Sequence, residues 1–182
     1  MARLAPLDPQ SLTPEQRVVH DTIAAGPRGQ VRGPLAVWLR RPALADKAQA
    51  LGEYCRFGSS LGPLLSELAI LVTARVWGSE FEWFAHKTHA AKAGLPEAAI
   101  ESIRTHQKPT LASAEEQAVY DVATTLNASR RLPDALYAST IATLGEGRLI
   151  DLIGVLGYYS LVSMTINVFE IDRPDGSAPE LP

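Results

Sequence analysis

The segment from Glu67 to Ala93 limits the possible folds of this chain more than any other stretch. It begins with a strongly apolar run, turns near Trp77-Gly78-Ser79 and continues with aromatic and basic residues. Both halves have helical periodicity, and the second carries four polar side chains spaced three or four residues apart. These are Ser79, Glu82, His86 and His89. We therefore expect two consecutive helices, one of which presents a titratable stripe on a single face.

Helix-start signals recur along the rest of the chain. Thr13-Pro14-Glu15-Gln16 predicts a capped helix to about Ala25, and Ser113-Ala114-Glu115-Glu116 predicts a second capping box. The sequence contains no turn signal flanked by alternating apolar residues, so no β-hairpin is predicted. The expected fold class is all-α, with about eight helices in one domain. That domain covers residues 13–171, after a Pro-rich arm at 1–12 and before a tail at 172–182 that is unstructured or wraps a partner.

Two segments near the N-terminus allow more than one interpretation. The basic loop Gly26–Gly33 contains the residue types of an anion cradle but lacks the spacing of a phosphate loop, so a solvated connector is favoured. A helix opened by Pro42 is expected to end near Gly58. Its apolar residues at helical spacing predict a core-facing stripe made of Leu44, Ala48, Leu51 and Cys55, and Cys55 is therefore a core residue rather than a reactive thiol.

The longest apolar stretch runs from Leu149 to Ile171 and is long enough to suggest a membrane span. It contains Asp151, Asn167 and Glu170, which are costly inside a bilayer. The stretch is therefore expected to be a helix buried in the core or in a subunit interface, and no membrane association is predicted.

Composition excludes several classes of function. The chain has 182 residues, a net charge of -3 and no basic run, which argues against nucleic-acid binding. The one cysteine excludes an internal disulfide framework, a four-cysteine zinc site and a CxxC redox pair. It also fits a reducing compartment, and the N-terminus lacks the apolar region of a signal peptide. A cytoplasmic location is expected.

The polar stripe permits two kinds of chemistry beside a plain solvated face. Glu82 lies one turn before His86, so the pair can exchange a proton with a small-molecule substrate. Glu67, on the preceding helix, can fix the imidazole tautomer if the two helices pack antiparallel. Alternatively, Glu82, His86 and His89 supply one carboxylate and two imidazoles, which are ligand types for zinc or iron.

The segment GPLLSELAILVTARVWGSEFEWFAHKTHAAKAGL resembles the core of the carboxymuconolactone decarboxylase family, which shares its fold with the alkylhydroperoxidase AhpD. The stretch LIGVLGYYSLVSMTINVFEI is similar to the C-terminal helix of longer members. In the peroxidase branch, a Glu precedes a CxxCxxxH motif. On this chain those positions are Glu67, Ser79, Glu82 and His86. Both sulfurs are missing, which argues against thiol peroxidase activity.

The decarboxylase branch therefore supplies the leading expectation. The resemblance implies a cofactor-free carboxy-lyase that acts on a small carboxylated lactone or ring compound in aromatic catabolism. It implies proton transfer by His86 with Glu82, orientation by Glu67 and an auxiliary role for His89. Candidate substrate-binding residues are Ser79, Arg75, Trp83 and Tyr158, with Arg75 as a carboxylate clamp and Tyr159 as a further residue of the lining.

The resemblance also implies a homo-oligomer, either a trimer or a hexamer. Two alternatives to the decarboxylase remain open. One is the metal-dependent enzyme already described, and the other is a non-enzymatic oligomer that kept the fold and binds a small ligand.

Overall fold

A computed structural model describes residues 2–182, and the part of the chain that it describes contains nine α-helices and no strand. The helices are α1 (Pro14–Ala25), α2 (Pro34–Trp38), α3 (Pro42–Glu53), α4 (Gly62–Val76), α5 (Glu80–Lys92), α6 (Glu97–Arg104), α7 (Ala114–Ser129), α8 (Asp134–Leu144) and α9 (Glu146–Phe169). A single π-helical turn, Tyr54–Gly58, continues α3. The predicted all-α class is confirmed, with one helix more than expected.

Helix boundaries follow local chemistry closely. The Thr13 hydroxyl accepts a hydrogen bond from the Gln16 amide, and the Gln16 side-chain oxygen accepts one from the Thr13 amide. The predicted capping box is therefore present. Ser113 accepts the amide of Glu116 at the start of α7 in the same way. These bonds satisfy amides that have no partner inside the helix.

Helix α4 is the centre of the fold. Its residues from Leu65 to Arg75 are all buried, because α5, α6, α7 and α9 pack around it. A helix that is apolar on every side has no face to present to solvent and so requires this position. Glu67 is one of the few charged residues on α4, and it is buried with the rest.

Helix α9 is long and apolar enough to cross a membrane by length and composition. However, 61% of its most apolar 18-residue window is buried inside the protein, against α4, α8 and the first helices. Its carboxylate Asp151 accepts hydrogen bonds from Tyr54 Oη (2.7 Å) and from the Ser60 amide (2.7 Å). This is the arrangement of a helix that packs in the core of the domain.

The predicted core stripe of α3 was half wrong. Cys55 and Ala48 are buried as expected, but Leu44 and Leu51 are each 48% exposed. A second stripe, displaced by one residue, is buried instead and consists of Ala45, Ala48, Gly52 and Cys55. Small side chains face inward because α3 packs closely on its neighbours; a Cβ at Gly52 would lie 2.1 Å from the Tyr158 ring.

The C-terminal tail has no helix, but it does not leave the domain. Arg173 stacks over the Phe84 ring of α5, 4.6 Å from its centroid. The amides of Glu180 and Leu181 donate to the Glu80 carboxylate at 2.9 and 2.7 Å. The tail therefore covers the outer face of α5, rather than being left unstructured.

Candidate active site

A tight turn between α4 and α5 brings the polar stripe toward the centre of the domain. Gly78 has a φ of 58°, and the amides of Gly78 and Ser79 donate to the carbonyls of Arg75 and Ala74. This pair of hydrogen bonds is the Schellman motif. Glycine is the favoured residue there because it adopts positive φ without strain. The chain reverses there, so the first turns of α5 return along α4 to the level of Glu67.

His86 lies between two carboxylates. Its Nδ1 is 2.7 Å from Oε2 of Glu67, and its Nε2 is 3.2 Å from Oε2 of Glu82. All three side chains are buried. The Nε2 approach is close enough for an ion pair but is not aligned as a hydrogen bond, so Oε2 of Glu82 has no hydrogen-bond donor in the described structure. A buried carboxylate oxygen in this state can still accept a proton or a hydrogen bond from a ligand.

The environment of His86 favours its protonated form. Burial alone lowers the pKa of an imidazole, but the hydrogen bond with Glu67 and the close negative charges of Glu67 and Glu82 outweigh burial and raise the pKa of His86 to about 9. His86 is therefore an imidazolium near neutral pH. It is a proton donor held against a carboxylate that has a free oxygen.

Glu82 and His86 line a cavity of about 80 Å³. Its polar wall also includes Arg28, Gln30, Arg32, Arg56, Tyr158 and Tyr159, and its apolar wall includes Leu35, Phe81 and Val162. The volume is below the roughly 300 Å³ at which ordinary ligand pockets begin. A substrate must therefore be small, or the exposed side chains of Gln30 and Arg32 at the rim must move on binding.

Aromatic side chains of α9 close one side of this cavity. The Tyr159 ring meets His86 edge-on with centroids 5.1 Å apart, and Tyr158 meets Tyr159 in the same way at 5.3 Å. Burial raises the pKa of Tyr158 to about 12 and that of Tyr159 well above its ordinary value. Both phenols therefore stay neutral and can donate a hydrogen bond to an anion.

Comparison with known proteins agrees with this geometry. Residues 42–125, which contain α3 to α6 and the Glu67–His86–Glu82 array, match the carboxymuconolactone decarboxylase family. The fold is similar to that of an uncharacterized peroxidase-related protein from Silicibacter sp. TM1040 (TM-score 0.77, 14% identity, 98% of this chain and 95% of that chain). The chain is thus similar to this family over somewhat less than half of its length, and similar to the peroxidase-related protein in fold alone.

A second solved structure has a similar fold. It is described as an alkylhydroperoxidase AhpD core, an uncharacterized peroxidase-related protein from Ralstonia eutropha JMP134 (TM-score 0.73, 14% identity, 98% and 97% of the two chains). At this level of identity, both likenesses concern the fold alone. No curated protein sequence matches this chain.

The thiol chemistry of the peroxidase branch has no counterpart at this cavity. Ser79 and Glu82 stand where the resemblance places the two sulfurs. The one thiol, Cys55, is 1% exposed in the core, and burial is the main cause that raises its pKa to about 11. A thiol with so high a pKa is a poor nucleophile near neutral pH.

The structure brings together only part of the predicted set of site residues. Glu67, Glu82 and His86 form the array, and Tyr158 lines the cavity. His89 is exposed and does not line the cavity, although its ring lies 6.0 Å from that of His86. Burial and the charge of Arg56 lower the pKa of His89. His86 is thus the histidine that faces the cavity.

Three predicted substrate-binding residues lie elsewhere. Arg75 donates from Nε to the Arg104 carbonyl at 2.6 Å, on the side of α4 that packs on α6. Trp83 lines a separate cavity beside α6, and the buried Ser79 immediately precedes α5 without capping it through its hydroxyl. Their positions give no support to direct contact with a substrate at His86.

Among the residues that line the cavity, one tyrosine and three arginines are not predicted from the sequence as binding groups. Tyr159 had been named only as a possible lining residue, and Arg28, Arg32 and Arg56 were not singled out at all. The basic loop at 26–33 was the available signal, because it contains two of these arginines. That loop lies over the cavity instead of serving only as a solvated connector.

The alternative metal set does not converge in the described structure. No group of three His, Cys, Asp or Glu side chains within residues 2–182 is arranged to hold a metal ion. His86 has both ring nitrogens directed at carboxylates, and His89 points to solvent. Glu82, His86 and His89 therefore do not form a ligand set in this conformation.

Proposed function

We propose that this protein is an acid–base enzyme of the decarboxylase type, acting on a small carboxylated lactone or ring compound. The Glu67–His86–Glu82 array at the wall of a cavity is the single observation that carries this proposal. A protonated imidazole held against a carboxylate with an unpartnered oxygen is a proton relay with one open end.

The reaction follows from that relay. The bond between the ring carbon and the carboxylate breaks, CO₂ leaves, and its bonding electrons pass into the conjugated ring carbonyl to give an enolate. His86 passes its Nε2 proton to the Glu82 carboxylate, and the protonated Glu82 then gives that proton to a carbon of the enolate. Water restores the proton on His86, so the substrate carboxylate and one proton become CO₂ and a C–H bond.

Each side chain has a separate role in this scheme. Glu82 and His86 face the cavity and exchange the proton. Glu67 is a positioning residue, because its hydrogen bond to Nδ1 fixes the ring and keeps Nε2 directed at Glu82. The neutral phenols of Tyr158 and Tyr159 are donors that can stabilise the enolate oxygen.

The test is turnover of carboxymuconolactone, followed as loss of its ultraviolet absorbance. Wild-type protein is expected to consume it, and His86→Ala and Glu82→Gln should each slow consumption roughly 10²- to 10⁴-fold. His89→Ala is the matched control on the same helix and should keep most of the activity. Equal rates in wild type and both variants of the array would overturn the assignment.

We also propose that the protein is a homo-oligomer. Exposed apolar residues follow α3 and its π-helical turn and continue onto the adjoining part of α9: Leu44, Leu51, Tyr54, Phe57 and Ile150. A patch of this kind is a common mark of a subunit interface. Light scattering on wild type and Leu51→Glu tests it, and an unchanged mass in both, equal to one chain, would contradict it.

A further inference from the structure

Two partly buried arginines at the cavity, Arg28 and Arg56, form no ion pair with a carboxylate of residues 2–182. Arg104, Arg148 and Arg173 are each ion-paired with a glutamate at 2.7 to 2.9 Å. A shielded charge without a partner lowers the stability of the fold. Its presence therefore suggests a partner that is not part of the folded chain.

Arg28 is the more strongly shielded of the two at its charged end. Its Nε and Nη2 atoms are buried and lack a hydrogen-bond acceptor. The guanidinium lies beside Gly52 and the Tyr158 hydroxyl, since a Cβ on Gly52 would be 2.6 Å from Nη2 and 2.1 Å from that hydroxyl. The small residue on α3 therefore makes the space in which Arg28 and Tyr158 reach the cavity together.

Arg56 is held in place by its backbone. It lies in the π-helical turn Tyr54–Gly58, and Asp151 of α9 fixes that turn by accepting hydrogen bonds from Tyr54, its first residue, and from Ser60, just after it. Its guanidinium lies over the Phe57 ring, 5.1 Å from the centroid, without a carboxylate. A π-turn changes the direction of the side chains that follow it, and such turns are frequent at functional sites.

The charges around the cavity do not cancel. Arg28, Arg32, Arg56 and the imidazolium of His86 are positive, whereas Glu67 and Glu82 are negative. The positive side is supplied by the loop at 26–33 and the π-turn, and the negative side by α4 and α5. An anion that enters the cavity therefore meets guanidinium groups on one side and the proton relay on the other.

We infer that Arg28 and Arg56 are substrate-binding residues that hold a carboxylate of the substrate, while the rest of the substrate faces Glu82 and His86. This assigns to Arg28 and Arg56 the binding role that the sequence had given to Arg75. The inference rests on the proposed function for the identity of the anion. Guanidinium groups bind both carboxylate and phosphate, so the test must separate the two.

The test is calorimetric titration with furan-2-carboxylate, an unreactive ring carboxylate, and with its neutral amide, furan-2-carboxamide. Wild type should bind the carboxylate and bind the amide far more weakly. Arg28→Gln and Arg56→Gln should each weaken carboxylate binding about 10- to 100-fold, the range expected for a charged hydrogen bond. Arg131→Gln is the control, because Arg131 is exposed and far along the chain in the α7–α8 connection.

Each remaining outcome overturns the inference. Carboxylate affinity that is the same in wild type and both variants would remove the role of these arginines, as would no carboxylate binding by wild type at millimolar concentration. A further outcome is that inorganic phosphate binds more tightly than the carboxylate, with the same dependence on Arg28. That result would identify a phosphate group, rather than a carboxylate, as the anion that the site binds. Thermal unfolding of each variant checks that the fold is intact.

The same titration separates this inference from the proposed reaction. His86→Ala should weaken furan-2-carboxylate binding less than Arg28→Gln or Arg56→Gln does, because both arginines remain. Arginine-dependent binding without any lactone turnover would leave the binding site standing and refute the decarboxylase. Turnover that depends on His86 but not on Arg28 or Arg56 would support the decarboxylase and refute the binding role of the two arginines.

Discussion

Helix α5 separates two clusters of charged side chains that differ in how their charges are paired. The cavity cluster, on its inner face, consists of Arg28, Arg56, Glu82 and His86. The tail cluster, on its outer face, consists of Glu80, Lys87, Arg173 and Glu180. Residues 82 and 86 point away from 80 and 87 because of the helical period.

The difference lies in what completes each cluster. Every charged group of the tail cluster has a partner of opposite sign within the chain, such as Lys87 with Glu180 at 2.5 Å. In the cavity cluster, neither guanidinium group forms an ion pair with a carboxylate of residues 2–182, and Oε2 of Glu82 lies 3.2 Å from His86 Nε2 without a hydrogen-bond donor. Within the folded chain, every charge of the tail cluster is paired. The charges of the cavity cluster are all paired only when a ligand binds. Pairing is therefore a better guide to function here than the number of charges.

The largest contrast is expected in stability. Glu67→Gln removes the negative charge next to the buried imidazolium of His86 and should lower the free energy of unfolding at pH 7 by about 3 kcal/mol. Glu180→Gln in the partly exposed tail cluster should cost less than about 1 kcal/mol. Urea denaturation of the two variants measures both, and equal losses would show that burial does not distinguish the clusters.

The two clusters should also respond to opposite ends of the pH range. The folded-state pKa of His86 is raised from 6.5 to about 9. Its contribution is therefore complete below pH 6.5 and is lost as pH rises through 9, on the order of 3 kcal/mol in all. For Glu180, partial burial is outweighed by Lys87 and Arg173, which lower its pKa. Its contribution is present above the unfolded pKa and is lost as pH falls.

Unfolding free energies of wild type and His86→Gln between pH 6 and 9.5 test the first half of this prediction. The stability of wild type relative to the variant should decline across that interval. Wild type against Glu180→Gln should instead show its decline below about pH 4.5. A His86 difference that stays constant from pH 6 to 9.5 would mean that the imidazole is not protonated in the fold.

Spacing along the helices was enough to predict the all-α class and the approach of Glu67 and Glu82 to His86. Glu82 and His86 are four residues apart on one helix, and Glu67 lies on the preceding helix across a glycine turn, so local geometry determines their approach. The choice between His86 and His89 depended on which side of α5 is covered by α4 and α9. That is a tertiary property, and the local spacing of the two histidines does not contain it.

The sequence pattern could not predict that Arg28 and Arg56 reach the cavity, for a similar reason. Arg28 belongs to an irregular loop and Arg56 to a π-turn, and neither has a period that predicts its direction. Arg75 was chosen instead because it lies in the recognised helical segment. Only the packing of the 26–33 loop on α3 and α9, through Gly52 and Tyr158, shows which arginines reach the cavity.

That packing can be tested with a pair of glycine variants. Gly52→Ala places a methyl group where Tyr158 and Arg28 now lie, so it should displace both and weaken furan-2-carboxylate binding about tenfold, at a cost of roughly 1–3 kcal/mol. Gly157→Ala in α9 has no atom within 4 Å of the added carbon and should raise stability by about 0.5–1 kcal/mol. Equal binding by both variants would show that Gly52 does not shape the cavity.

The smallest effect is expected from the tail cluster. Glu80→Gln weakens the acceptor that holds the Glu180 and Leu181 amides, so those amides should exchange with solvent faster while the helices keep their protection. Because Glu80 points away from the cavity, carboxylate binding and lactone turnover should change less than twofold. Hydrogen exchange and the two activity assays on one preparation measure this. A larger loss of turnover would show that the tail cluster transmits strain through α5 to Glu82 and His86, and the two clusters would then be one functional unit.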